Sequence, residues 1–349
     1  MVTAVDPCER EALLWEPREE GAVQCALCAH GCRIPEGAVG LCGVRRNRGG
    51  ALRTLVYGRL VARNVDPVEK KPFFHVRPGS LSYSIATAGC NFRCAHCQNY
   101  EISQVQRDRG AIPGRFVPPE AVVAAALETG CASVAYTYTE PTVFFEYALD
   151  CMKLARKAGL LNLFVTNGYE SPGCLEAAVP YLDAANVDLK AMTDGFYRKV
   201  CGARLEPVLR TIRDLWQRGV WVEVTTLVIP HHNDAPEELR EAARFLASVS
   251  PDVPWHVTGF YPTYRLTTEP PTPASSLVEA RRIGLEEGLR YVYSGNRPAR
   301  GGEDTRCPSC GRTVVARQGF AVTENSITPA GRCPGCSLAI AGLALGGGT

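Results

Sequence analysis

Cys90, Cys94 and Cys97 stand in a C-x3-C-x2-C spacing within GCNFRCAHCQN. No helix or strand runs through that spacing with all three thiols converging, so they sit on a loop. Thiols this dense in a chain without a secretory leader read as metal ligands rather than disulfide halves. An iron–sulfur cluster is ordinarily held by four thiolates, so a set of three leaves one iron of a 4Fe-4S cluster for a substrate to chelate. A closed site would instead borrow a distant thiol, such as Cys131, Cys151, Cys174 or Cys201. Two further groups flank this one. Cys307, Cys310, Cys333 and Cys336 form two C-x2-C knuckles around the alternating run TVVARQGFAV, the pattern of a zinc ribbon with a structural ion. Cys25, Cys28, Cys32 and Cys42, spaced C-x2-C-x3-C-x9-C, suit either zinc or an auxiliary iron–sulfur cluster. Zinc there would be a staple, whereas a cluster could relay electrons to the central one. With four thiolates at hand, His30 is expected beside the metal or at the surface, not as a ligand.

The elements that must position these groups read as α/β. Between residues 81 and 298, β-branched and aromatic runs alternate with helical patterns, which predicts a partial (β/α)6 TIM-like barrel. Strands are expected at 82–88, 133–139, 161–166, 184–189, 220–229 and 255–260, with a short one at 291–293. Helices are expected at 119–129, 143–158, 175–181, 207–218, 236–248 and 275–287, several begun by proline. Segments 1–80 and 299–349 are too short to bury independent cores and read as small metal-stapled modules, each with a set of four cysteines. Polar residues gather where the expected strands end: Thr139-Glu140-Pro141, Thr166-Asn167-Gly168, Asp188-Leu189-Lys190 and Pro230-His231. In a parallel barrel that edge carries the site, and the Cys90 loop follows the first strand at the same edge.

A substrate that fits an open iron in this setting is S-adenosylmethionine (SAM), chelating through its amino and carboxylate groups. Glu140 would then accept hydrogen bonds from the SAM amino group, Thr166 and Asn167 would bond the ribose hydroxyls, and Asp188 and Lys190 would meet the charged end. One electron from the cluster would split the C5′–S bond, and the resulting 5′-deoxyadenosyl radical would abstract hydrogen from an inert C–H bond. Cys201 in KVCGA could supply a hydrogen atom or anchor a substrate radical, although a lone cysteine is more often a buried hydrophobe. Tyr136 and Tyr138 should share one barrel face, as core or as pocket lining; His75 should touch the cluster loop, and His231 and His232 read as loop residues.

The collinear set VQCALCAHGCRIPEGAVGLCGVR, VDPVEKKPFFHVRPGS, TAGCNFRCAHCQNYEISQ, AYTYTEPT, VDLKAMTDGFYRKVCGA and YVYSGN, with the CPSCG…CPGC tail, resembles the radical SAM enzyme of the AmmeMemoRadiSam system, a relative of the pyruvate formate-lyase activating enzymes. The resemblance implies a radical SAM barrel, a 4Fe-4S cluster on Cys90, Cys94 and Cys97, and SAM binding through the Glu140, Asn167 and Asp188/Lys190 regions. It also points to a reductant such as flavodoxin or ferredoxin and to a complex with the other proteins of that system. The chain departs from the family pattern at IPHHND, at Gly259 in HVTGFYPTYRL where relatives often carry arginine, at His96, and in its tail. The first two departures bear on the substrate pocket.

Composition narrows the remaining classes. A net charge of +2, from 38 basic and 36 acidic residues, gives no field for nucleic acid or anionic lipid. The opening MVTAVDPCEREALLW has no signal-like apolar core, and no run reaches the roughly 20 apolar residues of a membrane span, so a cytoplasmic protein is expected. The leading reading is therefore a radical SAM enzyme acting on a small-molecule or peptide substrate. An activase that installs a glycyl radical on a partner enzyme is the alternative, and a zinc-stapled binding protein without catalysis is a third.

Overall fold

The structure, a computed structural model, describes residues 6–110, 112–297 and 301–346. The division expected between 298 and 299 falls outside the described residues. Seven parallel strands form the centre: β1 Leu81–Thr87, β2 Ser133–Tyr136, β3 Leu161–Thr166, β4 Ala184–Asp188, β5 Trp221–Val228, β6 Trp255–Gly259 and β7 Val292–Gly295. Each pairs in parallel with its neighbours in chain order. Parallel neighbours need a crossover, and the principal ones are helices Pro119–Glu128, Phe145–Lys157, Pro172–Ala178, Leu205–Gln217, Pro236–Val249 and Ala274–Glu286. Six strand–helix units are thus followed by one more strand. Prolines at first-turn positions, Pro119, Pro172 and Pro236, start helices at no hydrogen-bonding cost. Helix Leu205–Gln217 turns Val208, Ile212 and Leu215 inward at i, i+4, i+7 spacing, so one stripe packs on the sheet.

The sheet does not close. β7 lies at one edge, and at the other β1 pairs antiparallel with Arg59–Pro67, which pairs in turn with Arg115–Phe116. The strand Arg59–Pro67 belongs to the segment read as the N-terminal module, so that segment builds part of the central sheet. Its two small antiparallel sheets, Arg10–Glu11/Ala51–Thr54/Arg45–Arg48 and Trp15–Pro17/Val23–Cys25/Arg33–Ile34, have strands of two to four residues. Runs that short carry no readable alternation. Val23, Ile34, Val44 and Leu52 are wholly buried in the same core as Ile85 and Val134. A buried ion pair, Arg45 Nη1 to Glu146 Oε1 at 2.9 Å, ties the segment to helix Phe145–Lys157.

At the opposite end of the chain, Thr305–Arg306, Thr313–Gln318 and Ala321–Asn325 form an antiparallel sheet whose core includes Phe74, Tyr291 and Tyr293. Arg317 fastens it: Nη2 donates to Phe74 O at 2.7 Å and Nη1 to Thr305 Oγ1 at 2.8 Å. Beneath it the segment before β1 closes the base of the strands. Glu223 accepts from the backbone N–H groups of Phe74 and His75 at 3.0 and 2.9 Å, and lies 2.7 Å from His256 Nε2. His75 therefore does not touch the cluster loop as expected. Its ring bridges Ala341 O and Tyr293 Oη, each at 2.6 Å, at the far end of the strands. Among the described residues no helix is long and apolar enough to cross a membrane.

Candidate functional site

Cys90 can leave the end of β1 as it does because Gly89, at φ +100°, has no side chain. A Cβ there would stand 2.7 Å from Val44 Cγ1 and 3.2 Å from Cys42 O. The loop that follows is pinned from three sides. Arg93 N–H donates to Cys201 O at 2.8 Å and Ala95 N–H to Val200 O at 2.9 Å. Arg107 donates to the carbonyls of Cys90 and Phe92, both at 2.7 Å, and Gln104 Nε2 to Phe92 O at 3.2 Å. A loop carrying this many bonds holds its thiols without help from regular structure.

The thiols face a cavity of about 760 Å³ that runs from the carboxyl ends of the strands down to Phe74, His256 and Tyr293. Cys90, Cys94, Cys97, Asn167, Asp188 and Lys190 share its wall, and Thr166 joins them. The expected strand-end residues are thus brought to one chamber from β1, β3 and β4. Asn167 Nδ2 donates to Asn91 Oδ1 at 2.6 Å and lies 3.7 Å from Cys90 Sγ. Lys190 Nζ pairs with Asp188 Oδ2 at 2.8 Å. Burial opposes the ammonium, but the Asp188 carboxylate and the neighbouring thiols outweigh it and raise its pKa. On the chamber wall, His96 Nδ1 and Asn167 Oδ1 are buried polar atoms without a protein partner. Native buried groups are nearly always satisfied. Such orphans beside the thiols fit a wall built to meet a bound group, and three soft sulfur donors are of the right kind for a cluster.

Glu140 is placed otherwise than the sequence led us to expect. Its side chain is fully buried and absent from the cavity wall. Oε1 accepts from Thr142 N, Thr142 Oγ1 and Thr166 Oγ1 at 3.0, 2.6 and 2.9 Å, and Oε2 from Asn167 N at 2.8 Å. It therefore fixes the backbone of Asn167 and does not itself line the chamber. Thr166 Oγ1 also lies 2.7 Å from Glu170 Oε1, so its single proton is divided between two carboxyls. Burial first and the Glu140 charge second push Glu170 up to about 7.

Cys201 also departs from its expected place. It is wholly buried, does not line the cavity, and gathers with Cys94 and His96, donor atoms within 4.8 Å, behind the loop. Its thiol is in position to support Cys94, not to reach a substrate. Tyr136 and Tyr138 do not share a face, because β2 ends at Tyr136. Tyr136 is core, donating to Asn162 Oδ1 at 3.1 Å, whereas Tyr138 turns into αL at φ 63° and lines the cavity. His231 and His232 pair with Glu269 at 2.9 and 3.2 Å, outside the chamber. At Gly259 a Cβ would meet Arg297 Cγ at 2.9 Å, so the missing side chain makes way for Arg297, which lines the cavity.

Sequence reasoning missed three participants. Asn91 carried no signal beyond lying between two ligands. Lys71, buried and 2.6 Å from Asp66, sits 4.1 Å over the Tyr138 ring on the cavity wall; burial lowers its ammonium to about 8. Glu170 carries no distinguishing signal in the sequence. Of the flanking thiols, Cys307 lies 3.5 Å from Cys336 and Cys310 3.7 Å from Cys333, all four donors within 4.8 Å. Cys25, Cys28, Cys32 and Cys42 line a separate small cavity together with His30 and Asn91.

Residues 84–246 match the Radical SAM superfamily. An uncharacterized protein of Methanocaldococcus jannaschii is 44% identical over 312 residues, 89% of this chain and 92% of that protein. The isethionate sulfite-lyase activating enzyme of Oleidesulfovibrio alaskensis is 29% identical over 125 residues, 34% of this chain and 40% of that enzyme. Among solved structures, a radical SAM methyltransferase from Sphaerobacter thermophilus shares the fold over 63% of this chain and 68% of its own, with a TM-score of 0.50 at 14% identity.

Proposed function

Because the chain belongs to the radical SAM superfamily, we propose that Cys90, Cys94 and Cys97 hold a 4Fe-4S cluster and that the chain cleaves SAM to act on a small-molecule or peptide substrate in the cavity. When bound, the cluster supplies the single electron that splits the C5′–S bond and leaves a 5′-deoxyadenosyl radical to take hydrogen from that substrate. The chain's residues bind and orient. Lys190, charge-paired with Asp188, meets the SAM carboxylate, and Thr166 and Asn167 meet the ribose. Glu140 holds the Asn167 backbone in register with Cys90, and Lys71 and Arg297 present charge to the second substrate.

The observation that carries this reading is the shared wall: three cysteines and the Asn167, Asp188 and Lys190 side chains on one chamber of about 760 Å³. After anaerobic reconstitution and reduction, the chain should form 5′-deoxyadenosine from SAM. A fully loaded, reduced protein that forms none would refute it. The chain is an enzyme, which sets aside the reading in which every cysteine group is a structural zinc site.

Similarity to an activating enzyme supports a second reading, an activase that draws hydrogen from a backbone glycine of a partner. A doublet EPR signal in a candidate partner after incubation favours it. The motif set shared with the AmmeMemoRadiSam family supports a complex with the other proteins of that system, tested by co-purification. At the C-terminus we assign a structural zinc to Cys307, Cys310, Cys333 and Cys336, supported by sulfur separations of 3.5 and 3.7 Å. The grouping of the cysteines into metal-ligand sets supports a reducing cytoplasm and a low-potential donor such as flavodoxin or ferredoxin.

A further inference from the structure

The four N-terminal thiols converge, but not as a single ion would draw them. A zinc–sulfur bond of about 2.3 Å sets tetrahedral thiolates roughly 3.8 Å apart. The C-terminal four meet that spacing, with all donors within 4.8 Å of one another. Among the described residues, that separation gathers no three of Cys25, Cys28, Cys32 and Cys42. It does not gather Cys90, Cys94 and Cys97 either. The N-terminal set is therefore spread like the central set and unlike the zinc-type set within the same molecule. The four thiols line one small cavity, together with Leu27, Ile34 and Val143. A thiol cage too wide for one ion suits a core whose cysteines bind separate irons.

A second observation comes from Asn91. Its side chain, 2% exposed, lies on that same wall, and its Nδ2 has no hydrogen-bond partner. An amide N–H2 fits the sulfurs of a cluster, which take hydrogen bonds that tune their potential. Asn91 also belongs to the central loop, one peptide bond from Cys90. His30 Nε2, from the N-terminal group, lies 2.9 Å from Asn91 O. Arg107 clasps both loops, its Nε donating to Leu41 O at 3.0 Å and its Nη2 to Cys90 O at 2.7 Å.

We propose that Cys25, Cys28, Cys32 and Cys42 hold a second four-iron cluster, an electron-transfer centre abutting the central one through Asn91. Its recipient rests on the function proposed above; its metal does not. One electron enters from a reduced flavodoxin- or ferredoxin-class protein, which is oxidised by one, and one leaves toward the Cys90 side. The N-terminal centre returns to its starting level, and no bond or proton changes hands.

The test is metal content and spectroscopy of the full-length chain, reconstituted anaerobically with iron and sulfide. About eight irons and about one zinc per chain are expected, and about four irons with about two zincs would overturn the proposal. The C90S/C94S/C97S variant should keep about four irons and, after dithionite, an EPR signal indifferent to SAM. An iron-free variant with wild-type circular dichroism would overturn it; if that variant does not fold, the wild-type iron-to-zinc ratio alone decides. The C25S/C28S variant should lose that signal and keep one that SAM perturbs. Fully reduced wild type should show spin–spin broadening, and a plain sum of the two variant spectra would refute the electron-transfer assignment. Eight irons without 5′-deoxyadenosine would sink the proposed function and leave the second cluster standing.

Discussion

Arg45→Met should cost about 3 kcal/mol, because it strands a carboxylate in the core. Arg45 and Glu146 are 2% and 7% exposed, and their 2.9 Å contact joins the N-terminal segment to helix Phe145–Lys157. Removing one partner of a buried pair typically costs about 3–5 kcal/mol. Here Glu146 Oε1 keeps the Leu13 N–H at 2.7 Å, while Oε2 has no partner even in the intact protein. The surviving charge-assisted bond offsets part of the loss, which places the cost near the lower end of that range. Removing both charges with R45M/E146L should cost less than R45M alone, since apolar replacement of a buried pair avoids its desolvation while the Leu13 N–H and carbonyl lose their partners. Urea unfolding under anaerobic conditions, followed by tryptophan fluorescence, reads the midpoints; Trp15 reports the N-terminal segment and Trp255 the barrel. The two regions share one core, so a single transition is expected. A single variant costing less than about 1 kcal/mol, or a double variant costing the sum of both singles, would refute the reasoning.

Glu140→Gln sets an amide N–H against the N–H of Asn167 or Thr142 and should lower stability by on the order of 2 kcal/mol in the same assay. An unchanged midpoint with lost SAM affinity would instead make Glu140 a direct ligand. Lys190→Met should alter stability by less than about 1 kcal/mol, since its partner Asp188 is 37% exposed, yet weaken SAM binding about tenfold by calorimetry. Burial holds His75 down at about 4 against an ordinary 6.5, so its contribution to stability is intact above pH 6.5 and lost as pH falls toward 4. That gap is worth on the order of 3 kcal/mol, and His75→Gln should erase that segment of the stability profile; an unaltered acid limb would show that His75 is not its source.

The parallel strands were legible because each is a β-branched or aromatic run buried on both faces. The pattern fixes where such a run lies but not where pairing stops: residues 137–139 continue the run after β2, yet Tyr138 has already turned to φ 63°. The cysteine loop was legible from spacing alone. Glu140 was misread because position at a strand end does not reveal which way a carboxylate points, and four local donors turn it inward. His75 was misplaced because its partners, Ala341 and Tyr293, are more than 200 residues away in the chain. Nothing local in FFHVRPG announces them.

The wall of the chamber is assembled from both ends of the chain, and this sets an order of events during synthesis. Cys90, Cys94 and Cys97 are translated in the first third of the chain, whereas Glu303, Gly319 and Phe320 on the same wall come near the end. Leu343, whose N–H reaches His75 O at 2.8 Å, comes later still. A nascent chain that has just completed β7 therefore carries every central thiol in a chamber still missing part of its side. If those thiols hold the proposed cluster, a truncated chain ending after β7 should load and lose its metal faster than the complete one.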